Sequence, residues 1–78
     1  MAHFPSKSWP QLRRILERRP LRYRVVRQVG SHVRMESPGR PPLRLAFHER
    51  AIVAPGLVRT ILVKYVGLTE DEALSLLR

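Results

Sequence analysis

The chain contains no cysteine. It therefore offers neither a disulfide framework nor thiolate ligands for a metal ion. It also has no apolar run near the roughly 20 residues that a membrane-spanning helix needs. Its first residues lack the apolar stretch of a secretory signal. From these absences we expect a cytoplasmic protein that makes no contact with a membrane.

Acidic residues are scarce as well. Six Asp and Glu stand against 15 Lys and Arg, and the formal net charge is +9 over 78 residues. Three of the acids are adjacent at positions 70–72, which leaves the rest of the chain still more basic. A compact domain of this charge attracts phosphate backbones and acidic protein surfaces. An arginine-rich genome would produce the same composition, so charge alone does not decide between these explanations.

The length and the apolar content of the chain limit the number of domains it can form. A chain of 78 residues forms one domain, and its hydrophobic fraction of 44% is sufficient for a core. We expect a single domain over residues 8–78, preceded by a flexible arm over residues 1–7. Such a small domain is modest in stability by itself, and a bound partner would stabilise it.

A helix is predicted to begin after Ser8. Ser8 and Gln11 have the spacing of an N-cap residue and its capping-box partner, and apolar residues then follow at helical spacing through Leu16. Pro20 ends the helix, because proline cannot continue the backbone hydrogen bonds.

Three strands follow, predicted over Leu21–Arg27, Ser31–Ser37 and Pro42–His48. All three alternate between apolar and polar residues, which is typical of strands with one buried face. The residues predicted to face the core are Leu21, Tyr23, Val25, Val33, Met35, Leu43, Leu45 and Phe47. Those predicted to face away are Arg22, Arg24, His32, Arg34, Glu36, Arg44, Ala46 and His48. The sheet therefore has one apolar face and one basic face that carries histidine.

Two helices complete the chain. After a loop over residues 49–56, a second helix presents its apolar residues to the sheet and ends at Gly67. The residues expected on that side are Leu57, Val58, Ile61, Leu62 and Tyr65. Thr69 and Glu72 form a second capping box, and the acids of this turn compensate the helix dipole. The order is α-β-β-β-α with a short extra C-terminal helix, an α+β fold with the helices on one face of a three-stranded antiparallel sheet.

Several strings in this order resemble the HicA toxins. Gly30-Ser31-His32 stands at the start of the second strand, and His48 closes the third strand. Residues 56–62 open the second helix, with Gly56-Leu57-Val58 where the family usually has Gly-Thr-Leu. The resemblance extends from Ser8 to Leu68. The chain departs from the usual family pattern at Val33, where a second histidine is common, and at Ala46, where proline is usual. The resemblance implies a fold like that of a double-stranded-RNA-binding domain.

The resemblance also implies an activity. HicA toxins are mRNA interferases of type II toxin–antitoxin systems, and the catalytic residue implied here is His32. Histidine moves protons near neutral pH, so an RNA 2′-hydroxyl can attack its own phosphate without a metal ion or another cofactor. We expect cleavage of mRNA that blocks translation. The residues expected to bind RNA are Gly30, Ser31, Arg22, Arg24, Arg34, Arg44 and His48.

The partners follow from the same resemblance. A small acidic antitoxin of the HicB type is expected to neutralise the toxin, which is monomeric alone and enters a higher-order complex with the antitoxin. Two other classes remain open at this point. A non-catalytic double-stranded-RNA-binding module has the same fold and charge, but its second helix would carry a run of cations, and here only Arg59 and Lys64 are basic. A ribosome-associated structural protein is supported by charge alone.

Overall fold

A computed structural model describes residues 3–78, and its centre is a three-stranded antiparallel sheet of Arg24–Val29, His32–Glu36 and Leu43–Ala46, in that order. The α+β fold of the double-stranded-RNA-binding type is thereby confirmed. In chain order the elements are β1 (Lys7–Ser8), α1 (Trp9–Glu17), β2 (Arg24–Val29), β3 (His32–Glu36), β4 (Leu43–Ala46), β5 (Ile52–Val53), α2 (Pro55–Arg59), a π-helical segment (Thr60–Tyr65) and α3 (Glu70–Leu77).

Helix α1 begins as the capping box predicts. The Ser8 hydroxyl accepts a hydrogen bond from the Gln11 backbone N–H at 3.3 Å, and the Ser8 N–H donates to Gln11 Oε1 at 3.1 Å. The helix ends at Glu17, before Pro20. Its buried side carries Trp9, Leu12, Ile15 and Leu16.

A second, two-stranded sheet joins the start of the domain to its middle. Lys7 pairs with Val53 and Ser8 pairs with Ile52 in antiparallel register. The sequence had suggested a flexible arm through residue 7 and an irregular loop over residues 49–56, so this pairing is a correction at both places. Two residues are too short a run for alternation to reveal a strand. The first two residues of the expected arm lie outside the described part of the chain.

Strand β2 begins later than predicted and contains a β-bulge. Leu21 and Tyr23 are buried as expected but precede the strand, and Arg22 has a φ of 54°. Val25 pairs with Met35, and the next pair is Arg27 with Arg34, so Val26 is an extra residue on β2. A bulge of this kind shifts the alternation by one residue. Residues after Val25 therefore lie on the faces opposite to those that continued alternation would give them.

One hydrophobic core lies between the sheet and the helices. The inner face of the sheet contributes Val33, Met35, Leu43 and Leu45, each at most 6% exposed. The helices and connecting segments contribute Trp9, Leu12, Ile15, Leu16, Leu21, Tyr23, Val53, Val58, Ile61, Leu62, Val66, Leu68, Ala73 and Leu77. No helix within residues 3–78 is long and apolar enough to cross a membrane.

The second helix buries Val58, Ile61 and Leu62 as predicted, but leaves Leu57 and Tyr65 exposed. Leu57 and Tyr65 are 39% and 46% exposed, whereas Val66 is buried. Beyond Arg59 the helix widens, and the Val66 N–H donates to the Ile61 carbonyl five residues earlier at 2.9 Å. A π-helical turn rotates later residues away from the positions that a 3.6-residue period gives them. Gly67, with a φ of 92°, ends the segment as predicted.

Helix α3 has the predicted capping box. The Thr69 hydroxyl accepts from the Glu72 N–H at 3.1 Å, and Glu72 Oε1 accepts from the Thr69 N–H at 2.9 Å. The backbone and side-chain hydrogen bonds from Thr69 lower the pKa of Glu72. Glu70 also pairs with Arg59 at 2.7 Å, which links α3 to α2. The three acids at positions 70–72 thus stabilise the N-terminus of α3.

Candidate nucleic-acid interface

The outer face of the three-stranded sheet carries its side chains in cross-strand rows. The central row is Arg27, Arg34 and Arg44, one from each strand. The row beside it is Val29, His32 and Ala46. On the other side of the central row, Arg24 lies opposite Glu36. Directly opposed residues of antiparallel strands have Cα atoms roughly 4.5–5.5 Å apart. Each row is therefore a group of near neighbours.

The first two rows line a shallow groove of about 350 Å³. Its lining residues are Arg27, Val29, His32, Val33, Arg34, Arg44, Leu45 and Ala46. The groove combines cations and a histidine with apolar contact surface, and Val29 is 60% exposed there. Phosphates and the apolar faces of ribose and bases require this combination of surfaces.

His32 is the first residue of β3, directly after the two-residue turn Gly30-Ser31. Gly30 has a φ of 60°, which such tight hairpins need at this position. The Phe47 N–H donates to the Ser31 carbonyl at 3.1 Å, so the turn is attached to the end of β4. The predicted outward facing of His32 is confirmed, and its side chain is exposed. Its catalytic role stays a prediction.

Not all of the other residues predicted to bind RNA lie on the outer face near His32. Arg34 and Arg44 lie in the central row, two pairing positions from His32. Arg24 is on the same face but further away, opposite Glu36. Arg22 was placed on a strand face and this is wrong, because it precedes β2 in a left-handed conformation. His48 lies two residues beyond the end of β4, so strand alternation no longer fixes its direction.

Arg27 is the functional candidate that the sequence analysis missed. Strict alternation from Val25 assigns Arg27 to the core side, and the bulge at Val26 moves it to the outer face. A signal for this was present. If Gly30-Ser31 is a two-residue turn, Val29 must pair with His32, and counting back along both strands pairs Arg27 with Arg34. The turn residues were a better guide to register than alternation.

The electrostatics of the central row are strongly unbalanced. Arg34 Nε contacts Glu36 Oε2 at 3.2 Å, an ion pair that remains partly exposed. Within residues 3–78, no carboxylate lies within 4.0 Å of the Arg27 or Arg44 guanidinium. Like charges directly opposite each other across strands destabilise a sheet. The row is therefore suited to a polyanion that neutralises it.

The described residues contain no group of three or more His, Cys, Asp or Glu side chains that could hold a metal ion. Of the aromatic residues, some lie on the core side of the sheet and one is exposed. Trp9 packs against Phe47 on the core side, with ring centroids 5.1 Å apart. Tyr65 was predicted to pack in the core and is instead exposed.

Comparison with known proteins identifies the chain. The family model described as "HicA toxin of bacterial toxin-antitoxin" matches residues 9–68, which spans α1, the three-stranded sheet, α2 and the π-helical segment. No curated protein and no solved structure matches the chain. The chain therefore belongs to the HicA toxin family, the toxins of bacterial toxin–antitoxin systems that act with an antitoxin partner.

Proposed function

We propose that this toxin is an endoribonuclease that cleaves mRNA by acid–base catalysis at His32. The observation that carries the proposal is the position of His32. It is exposed in the same groove as Arg27, Arg34 and Arg44, on a sheet face where Val29 and Ala46 are also exposed. A histidine among cations, open to a strand of RNA, has the chemistry that phosphodiester cleavage requires.

In the proposed reaction the RNA supplies its own nucleophile. The 2′-oxygen attacks the adjacent phosphorus and the bond from phosphorus to the 5′-oxygen breaks, which leaves a 2′,3′-cyclic phosphate and a 5′-hydroxyl. His32 serves one of the two proton transfers, either removing the 2′-hydroxyl proton or protonating the departing 5′-oxygen, and solvent water serves the other. The positive field of the neighbouring arginine row favours the extra negative charge that develops on the phosphoryl oxygens. The mechanism assigns no metal ion or cofactor to the step.

The other candidate residues have supporting roles in this proposal. Gly30 and Ser31 hold His32 at the rim of the groove, where the Gly30 backbone conformation makes the tight turn. Arg34 and Arg44 contact phosphates beside the reacting one, and Arg24 extends the basic face further along β2. His48 is a phosphate contact near the end of β4. A substrate of this kind places the activity in the cytoplasm.

The antitoxin partner is proposed to be a protein of the HicB type with an acidic surface. The toxin carries a net charge of +9, and its outer face concentrates cations that acidic side chains would neutralise. Such complementarity gives fast association, particularly at low salt. An antitoxin seated on this face would exclude RNA from the groove.

The test compares the wild type with His32→Ala and with His3→Ala, an exposed histidine outside the groove. Removing the proton carrier should lower the rate of cleavage of a purified RNA by about 10²- to 10⁴-fold. In a sensitive host only the wild type and His3→Ala should arrest growth and deplete mRNA. Undiminished cleavage by His32→Ala would refute the assignment.

Two further measurements refine the mechanism. Cleavage should continue in a chelator, and its loss there would refute the metal-free step. The pH–rate profile assigns the proton transfer, because activity falls at low pH for a general base and at high pH for a general acid. RNA binding by the wild type without any cleavage would instead support the non-catalytic RNA-binding module.

A further inference from the structure

The bulge at Val26 determines which side chains share the outer face of the sheet. Without it, Val26 would pair with Arg34 and Arg27 would face the core beside Val33. With it, Arg27 pairs with Arg34, and Arg34 pairs with Arg44 on the other side. One extra residue therefore converts a pair of neighbouring arginines into a row of three across the whole sheet.

The row of three arginines lowers the stability of the free protein. Adjacent strands lie roughly 4.8 Å apart, so three guanidinium groups extend from backbone positions spread over only about 10 Å. Glu36 pairs with Arg34, and the outer two arginines have no carboxylate within ion-pair distance in residues 3–78. Cross-strand repulsion disfavours this arrangement unless an anion occupies the groove. Neutral residues at the same solvated positions would avoid the repulsion.

The distance from the row to His32 fits a nucleic-acid backbone. His32 and Arg34 are two residues apart on β3, which places their Cα atoms roughly 6.7 Å apart on one face. Val29 and Arg27, and likewise Ala46 and Arg44, repeat this step on the neighbouring strands. Successive phosphates of an extended single strand are separated by a similar distance. A phosphate reacting at His32 would thus have its neighbour over the arginine row.

We propose that Arg27 is an RNA-binding residue of this toxin, and that together with Arg44 it holds the phosphate next to the scissile one. The inference rests on the proposed RNA substrate and deepens it by naming the subsite. Arginine is suited to the role because its planar fork donates two hydrogen bonds to one phosphate. Arg34, held by Glu36, supports the centre of the row.

The experiment measures binding of a single-stranded oligoribonucleotide by fluorescence anisotropy, with every variant made in the His32→Ala background to prevent cleavage. Arg27→Gln and Arg44→Gln should each bind about fivefold to tenfold more weakly at low salt. Each lost phosphate contact should also reduce the slope of log affinity against log salt by about 0.7. The matched control is Arg19→Gln, an exposed arginine in the turn after α1 that loses the same charge outside the groove.

Two readouts separate a binding role from a structural one. Thermal melting of Arg27→Gln at low salt should show a midpoint equal to or above that of its parent, because the substitution relieves repulsion. Arg27→Lys should keep the salt slope, since the charge remains, while losing part of the affinity with the forked hydrogen bonds. A lowered melting midpoint that accounts for the affinity loss would overturn the proposal.

The decisive comparison is between Arg27→Gln and Arg19→Gln. If both bind RNA with the same affinity and the same salt slope, Arg27 is not in the RNA-binding site and the proposal is wrong. This outcome is independent of catalysis. If Arg27→Gln weakens binding but His32→Ala cleaves as the wild type does, the arginine row stands and the catalytic assignment fails.

Discussion

The two faces of the three-stranded sheet are built from alternate residues of the same strands, but one is apolar and buried and the other is charged and exposed. On the inner face Val33, Met35, Leu43 and Leu45 are buried against the helices. On the outer face the neighbouring positions carry arginines and His32, open to solvent. The inner face gains stability from each contact, whereas the outer face accepts like charges side by side.

The two faces differ in how strongly folding constrains their residues. A buried position tolerates few residue types, because volume and polarity are both constrained. An exposed strand position accepts most polar residues at nearly equal stability. Three arginines in register at such positions are therefore not explained by folding. They are what the proposed RNA-binding surface requires, and the distinction between the faces is open to direct test.

The largest effect is expected on the inner face. Leu43→Ala removes a side chain that is 1% exposed and should lower the free energy of unfolding by about 2–5 kcal/mol, the range for buried leucine. Urea denaturation measures the change. The matched substitution is Leu57→Ala on α2, where the leucine is 39% exposed and the loss should be under about 1 kcal/mol. Equal losses at both positions would contradict the described core.

On the outer face we expect a smaller effect, on RNA affinity and not on the free energy of unfolding. Ala46→Glu places a carboxylate in the row of His32, beside the arginines. RNA affinity should fall about tenfold, which is about 1.4 kcal/mol, with the free energy of unfolding within about 0.5 kcal/mol of the wild type. Ala46→Gln has nearly the same size without the charge and should retain most of the affinity. If the two variants bind equally, charge at this face does not govern RNA binding.

The smallest effect is expected at a polar group on the buried side. The Tyr23 hydroxyl donates to the Pro41 carbonyl at 2.8 Å, which joins the approach to β2 to the turn before β4. Tyr23→Phe should lower the free energy of unfolding by about 0.5–1.5 kcal/mol. Tyr65→Phe, at an exposed tyrosine, should change it little.

The same hydroxyl gives a pH dependence. Burial raises the pKa of Tyr23 above its ordinary value of 10.0, against a smaller lowering by Arg40. A group whose pKa is higher in the folded state contributes stability that is complete below about pH 10 and is lost as the pH rises through the folded value. The wild type should therefore lose more stability than Tyr23→Phe above about pH 10. Identical alkaline profiles would show that this phenol is not coupled to folding.

The sequence predicted those parts of the fold that local chemistry specifies. Ser8 with Gln11, and Thr69 with Glu72, began their helices as expected, because a capping box acts within four residues. Strand β3 alternated without error, and so His32 was assigned to the correct face. Its proximity to Arg34 and Arg44 followed from the same regular pattern.

The errors arose where an element departs from a regular period. The extra residue at Val26 places Arg27 on the outer face, and strict alternation does not anticipate a bulge. The π-helical segment exposed Tyr65 and buried Val66, and a 3.6-residue period does not anticipate that rotation. The pairing of β1 with β5 depends on contacts between distant segments. The β1-β5 pairing comes from tertiary packing, which no short window of sequence contains, whereas the bulge follows from the position of the Gly30-Ser31 turn.

The pairing of Lys7 and Ser8 with Val53 and Ile52 also has a consequence for how the chain folds. More than half of the chain, including the whole three-stranded sheet, lies between the two paired segments. Closing such a long loop costs entropy that a two-residue ladder alone does not repay. The β2-β3 hairpin, with its two-residue turn, closes at far smaller cost. The sheet that presents His32 is therefore expected to assemble early, and the β1-β5 pair to close around it as one of the last steps.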